Sequence, residues 1–149
     1  MAEINRQQLV MTLISAGTNP RLAGVDLSAL DMRRLSLEGA NLRGANMQGA
    51  NLQEAILRSS NMSFVNLTVA VMVASDLNAA NLTGANLTGA NLQGARLTGV
   101  NLTNAVLSSA NLQGASLQGA NVSGLKFDEK TTWPDGKKGS QGSPATYTA

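Results

Sequence analysis

The stretch Asn81-Leu82-Thr83-Gly84-Ala85-Asn86-Leu87-Thr88-Gly89-Ala90 repeats itself after five residues, and that period decides the fold. Followed outward in both directions, the leucine frame runs unbroken from Leu22 to Phe127. All 22 positions of this frame are apolar, with Met32, Met47, Met62, Met72, Val122 and Phe127 replacing Leu. Two residues before the central position the residue is Ala in 13 segments and small or aliphatic in nearly all the rest. One residue before it is Asn or Asp in 14, and two after it is Gly in 11. Each position of the repeat therefore has its own residue class.

A period of five fits neither a helix at 3.6 nor a strand at 2. It fits a short extended piece followed by a corner: the small residue and the central Leu, two apart, point to one side. The corner then resets the phase. Gly supplies a positive φ there at little cost, and Asn or Asp bonds local backbone. Repeated corners coil the chain into a solenoid whose layers bury one another. A spacing of 20, four segments per coil, sets Arg34 over Glu54, Glu38 under Arg58 and Asp76 under Arg96. A spacing of 15 gives none of these pairs and opposes Arg43 to Arg58. The charges thus favour a four-sided coil, as register markers rather than as a source of stability.

The A-(N/D)-L-x-x repeat resembles the pentapeptide-repeat family, over residues 20–129. The resemblance implies an all-β solenoid, a right-handed quadrilateral β-helix, here of about five and a half coils with an N-terminal capping α-helix. The expected organisation is residues 1–19 as a helical cap, 20–129 as the β-helix, 130–136 as a C-terminal cap turn and 137–149 as a disordered tail.

The ends carry the residues a stack needs to cover itself. Leu9 to Ile14, with Arg6 upstream, resembles a poor signal peptide, at the short limit for an h-region and with no A-x-A site following; the favoured reading is a short helix over about residues 3–16, with Leu9, Val10, Leu13 and Ile14 on one face. The larger Val25, Leu30 and Leu35 stand where Ala is usual and meet that face. At the other end Phe127, Leu125 and Trp133 close the last coil, Trp133 as a lid rather than a ligand platform. The run from Phe127 to Gly136 is similar to a terminal segment of many family members. The tail is rich in Gly, Ser and Thr, a disorder-prone composition.

Composition excludes more chemistry than it suggests. Cys and His are absent, which removes disulfides, thiolate and imidazole metal sites and every catalytic scheme built on them. No Gly-rich phosphate loop ends in Lys-Ser or Lys-Thr. Asp26 and Asp31 sit on adjacent segments, but a carboxylate pair needs a concave site. No catalytic residue, metal or cofactor is therefore expected. A net charge of +2, with one acid and one base between residues 59 and 125, argues against nucleic acid as a partner. It argues equally against the acidic DNA mimicry by which some family members engage gyrase, the alternative function. No run reaches the ~20 apolar residues of a membrane span.

What remains is a non-enzymatic, cytoplasmic protein-interaction scaffold of unknown partner. Its candidate interaction patch is Phe64, Val69, Val71 and Val73, outward positions where Gly, Gly, Asn and a polar residue are usual. In the four-sided register Phe64 lies between Gly44 and Gly84, and Val69 between Gly49 and Gly89. Two readings stand: these side chains cover bare glycine backbone, or they meet another protein. Ile56 and Val106 are outward apolar residues in other columns. Gln53, Gln93 and Gln113 form a ladder interrupted by Val73, and Thr83 with Thr103 and Thr68 with Thr88 form short rows. Homo-oligomerisation through the solenoid ends or the patch stays open.

Overall fold

The computed structural model describes residues 2–149. From Arg21 onward the chain climbs in segments of five, each a bridged residue, a buried central residue and a two-residue turn. Nineteen parallel bridges tie the segments together. They run at an offset of 20 residues from Arg21↔Asn41 to Val106↔Lys126, and the last, Asn111↔Thr132, has slipped by one. Four segments make one circuit, and each side stacks on the same side of the next.

The expected class is corrected by these bridges. The chain is not an all-β solenoid or a right-handed quadrilateral β-helix with a capping helix. Among the described residues there is no β-strand, and the one α-helix, α1 (Arg6–Ala16), has 11 residues. The cause is the repeat length. With two residues of every five in a turn, only one residue per segment is bridged, and two neighbours never pair in succession. Every bridge is isolated.

Backbone bonding nonetheless repeats from segment to segment through the interior of the stack. Three bonds recur per segment: Leu82 N–H to Asn101 O at 2.7 Å, Gly84 N–H to Thr103 O at 2.9 Å, and Asn81 N–H to Ser60 O at 2.9 Å. A fourth closes each turn, as from Ala85 N–H to Leu82 O at 3.0 Å. The Asn side chain accepts from the N–H two residues on, as Asn81 Oδ1 does from Thr83 at 3.0 Å, so a polar group beside the buried frame is satisfied locally. The central and small residues meet inside: Leu42 to Leu112 and Ala40 to Ala110 are buried almost completely. Ser60 and Ser75, in the Ala position, donate to Leu57 O and Met72 O.

Two of the three charge pairs sit as the register requires: Arg34 meets Glu54 at 2.9 Å, and Arg96 reaches Asp76 at 3.5 Å. Arg58 leaves Glu38 and binds Asp76 at 2.7 Å. The near-buried carboxylate, with a side chain 4% exposed, gains more from a second guanidinium than exposed Glu38 would.

At the first circuit α1 begins in a capping box, Asn5 accepting from Gln8 N–H and Gln8 accepting from Asn5 N–H at 2.8 Å. Its apolar face is used in part: Leu9 is in the core and Leu13 packs against it, Val10 is half-buried and Ile14 turns outward. Ile14 is 70% and Met11 58% exposed. The helix is also held at its first turn, where Arg6 bonds the Asp31 and Arg33 carbonyls at 2.7 and 2.9 Å.

At the last circuit the expected disordered tail is ordered in this structure. Trp133 is fully buried, with the Phe127 ring edge-on at 5.0 Å and Tyr147 stacked at 5.7 Å. Its Nε1–H donates to Gly139 O at 2.7 Å. Residues 137–149 wrap this indole through two 3₁₀ turns, Gly139–Gln141 and Pro144–Tyr147. A buried ring outweighs the disorder-prone composition of the segment that covers it.

Candidate functional site

The corner residue two after the central one has positive φ in all segments from Gly24 to Gly124, including ten that are not glycine. The stacked geometry imposes the left-handed turn whatever the side chain, and the side chain is thrust outward. Phe64 (φ 59°) and Val69 (φ 51°) occupy successive corners, and they are 58% and 54% exposed. A β-branched residue in this region is a genuine outlier, held by the bonds around it. Val69 N–H donates to Thr88 O and Phe64 N–H to Thr83 O, at 2.8 and 2.9 Å.

Each side chain leans toward the following circuit. A methyl on Gly84 would lie 2.7 Å from the Phe64 ring, and one on Gly89 3.1 Å from Val69, whereas Gly44 and Gly49 have open space above them. Arg43 lies over the other side of the ring, its guanidinium carbon 5.5 Å from the centroid. The sequence reading missed Arg43, although it stands one circuit and one residue before Phe64 and was legible from the register.

The four patch residues do not share one plane. Asn66 and Thr68 lie on the side between Phe64 and Val69, with the Thr68 hydroxyl donating to Asn66 Oδ1 at 2.6 Å. Val71 and Val73 lie on the following side and are half-buried, Val71 bridging Asn51 and Asn91. The exposed apolar surface is therefore Phe64 and Val69, with Val71 and Val73 at its margin. Ile56 and Val106 are half-buried on other sides.

Nothing comparable is built from reactive groups. Among the described residues no cluster of three Asp or Glu could hold a metal ion. An open cleft of about 380 Å³ lies between α1 and the first circuits, lined by Arg6, Asp31, Arg33, Arg34, Gln53 and Glu54. Its charges are spent on each other: Asp31 takes two bonds from Arg33, at 2.9 and 2.8 Å, and a contact from Arg6 at 3.5 Å. The Arg33 hydrogen bonds hold the Asp31 carboxyl far below the usual carboxylate range, and Arg34 lowers Glu54. Asp26 is lowered by hydrogen bonds from Ser28. Two carboxyls both pushed toward ionisation make no acid–base couple, which needs values pushed apart. No helix among the described residues is long and apolar enough to cross a membrane.

Residues 21–58, 60–99 and 85–124 match the model of the Pentapeptide repeats in 8 copies. The structure is similar to that of the pentapeptide repeat protein Rfr23 from the cyanobacterium Cyanothece 51142. Identity is 28%, over 84% of this chain and 99% of that one, with a TM-score of 0.78. HetL, a pentapeptide repeat protein involved in heterocyst differentiation regulation in Nostoc sp. strain PCC 7120, is 30% identical. That match covers 82% of this chain and 63% of HetL, with a TM-score of 0.35. No curated protein matches the sequence.

Proposed function

We propose that this chain, which belongs to the pentapeptide-repeat family, works without catalysis as a protein-interaction scaffold in the cytoplasm, with Phe64 and Val69 as its contact point. One observation carries the reading. On a rigid stack whose corners are elsewhere Gly, small or polar, two large apolar side chains stand more than half exposed at successive corners. Backbone strain of about 1–2 kcal/mol per L-residue in this region is tolerated there rather than removed by glycine. Phe and Arg are both enriched in protein interfaces relative to the rest of the surface. The margin formed by Val71 and Val73 extends the apolar area along the next side.

The test is capture from a native lysate of the source organism by wild-type chain and by Phe64→Asp/Val69→Asp. The double variant should keep the far-UV spectrum and lose the partner. Unchanged capture would remove the patch from the reading. Supercoiling assays address the gyrase alternative. Asp76, the single acid between residues 59 and 125, is clamped by Arg58 and Arg96, so no acidic field is available and no inhibition is expected.

A further inference from the structure

The arginines of the chain are engaged by its own carboxylates, with two exceptions that share one side of the stack. Arg6 and Arg33 meet Asp31, Arg34 meets Glu54, and Arg58 and Arg96 meet Asp76. Arg21 and Arg43 are both exposed, and neither guanidinium has a hydrogen bond or an ion pair among the described residues. Their side stacks through Arg21↔Asn41, Asn41↔Asn61, Asn61↔Asn81, Asn81↔Asn101 and Asn101↔Asn121. Its segments, 21–24, 41–44 and onward to 121–124, contain no Asp or Glu. Arg43 stands one circuit on from Arg21 and two residues further along the side, and Phe64 stands one circuit on from Arg43 at the corner. Two open cations thus lead diagonally to the exposed ring. The Arg43 guanidinium carbon lies 5.5 Å from the Phe64 centroid, a contact that steadies a long side chain and leaves its five N–H groups unspent. The hydroxyls around it are already committed, Ser63 to Asn61 Oδ1 at 2.8 Å and Thr83 to Asn81 Oδ1 at 2.6 Å.

We infer that the partner met at Phe64 is an acidic segment of another protein, with one carboxylate held by Arg43, a second by Arg21, and an apolar side chain between Arg43 and the corner resting on the Phe64 ring. The inference rests on the contact point proposed above and adds the chemistry of what meets it. Charge complementarity carries it. A guanidinium offers a carboxylate two parallel N–H bonds, and on this side no carboxylate of the chain itself competes for them. The apolar requirement follows from the ring, 58% exposed beside the Arg43 guanidinium. Nucleic acid fits less well, because phosphate binding needs a run of cations and from Gly44 to Gly124 this side carries none. A second copy is a poor source of free carboxylates, since Asp31, Glu54, Asp76 and Asp135 are already held by cations.

The probe is a blocked synthetic peptide of two glutamates and two leucines separated by a glycine. It is titrated to about 5 mM into the isotope-labelled full chain at low ionic strength, while arginine Nε–H and Phe64 ring signals are followed. Arg21, Arg43 and Phe64 should shift together, and the response should weaken as salt is raised to about 0.3 M. The glutamine analogue of the peptide should bind about tenfold more weakly or not at all. Arg21→Gln/Arg43→Gln removes no hydrogen bond of the stack, so it should keep the far-UV spectrum and lose the response to the acidic peptide. No shift at the highest concentration, equal binding of the glutamine analogue, or an unaltered response in the arginine variant overturns the inference. So does tighter binding of a short single-stranded DNA at the same residues, which would give the side to phosphates. Shifts that track protein concentration without peptide overturn it too, and would give the side to a second copy. The arginine variant leaves Phe64 and Val69 in place. Capture lost in Phe64→Asp/Val69→Asp but kept in the arginine variant therefore refutes the acidic partner and spares the patch, whereas capture kept in both removes the patch itself.

Discussion

Replacing Gly84 by Ala tests whether Phe64 rests on the backbone or stands free, with Gly44 as a built-in control. Both glycines turn corners of the same side, at φ +65° and +66°. An added methyl therefore carries the same left-handed penalty at each, about 1–2 kcal/mol. Their surroundings differ. At Gly44 the methyl meets nothing within 4 Å, whereas at Gly84 it lies 2.7 Å from two Phe64 ring carbons, so the ring must swing away. Phe64 is 58% exposed, so rather less than half of the ~1.5–3 kcal/mol of full burial is at stake. Part of an exposed cation–π contact with Arg43, about 0.5–1 kcal/mol, goes with it. Gly84→Ala should thus cost about 1 kcal/mol more than Gly44→Ala. The excess should vanish when both are made in a Phe64→Ala background. Urea unfolding followed by far-UV circular dichroism, across the six chains of this cycle, measures it. Equal costs for the two glycines within about 0.3 kcal/mol would refute the resting contact and leave the ring a free side chain.

Leu92→Asp should abolish the folded far-UV spectrum, since it places an unpaired carboxylate in a stacked interior position 1% exposed. Trp133→Ala should cost about 3–5 kcal/mol in urea unfolding and free residues 137–149 to limited proteolysis; retained protection would show that the wrap does not depend on the indole. Acid should loosen the first circuit. Asp31 and Glu54 have folded-state values lowered by Arg33 and Arg34, so their stabilisation is present above the ordinary carboxylate range and is lost as pH falls below about 4. An acid titration of α1 amide exchange should show this loss, and Asp31→Asn should flatten it; an unchanged acid profile would dismiss the Asp31 contribution.

Much of this was legible because the repeat is so regular. The period, the buried frame, the four-segment register and the pairs Arg34–Glu54 and Asp76–Arg96 follow from positions 20 apart. The class label did not follow. The resemblance implies an all-β class, but five-residue segments with two-residue turns leave isolated bridges and no strand among the described residues. Arg58 went elsewhere because an ion-pair partner is chosen by burial, and burial is not in the register. Val71 and Val73 were read with Phe64 because they are neighbours in sequence, although a corner separates them in space.

By itself the sequence determined what repeats: which residues are inside, where the chain turns, and that no thiol or imidazole chemistry is available. The tertiary structure decided what happens where repetition stops. α1 is held by Arg6 at its first turn as well as by Leu9 and Leu13, and residues 137–149 fold because a buried indole needs a cover. The reason is physical. A periodic interior is set by contacts that each segment makes with copies of itself, which local sequence encodes. An end or an outward corner is set by contacts with unlike residues, which only the folded arrangement brings together.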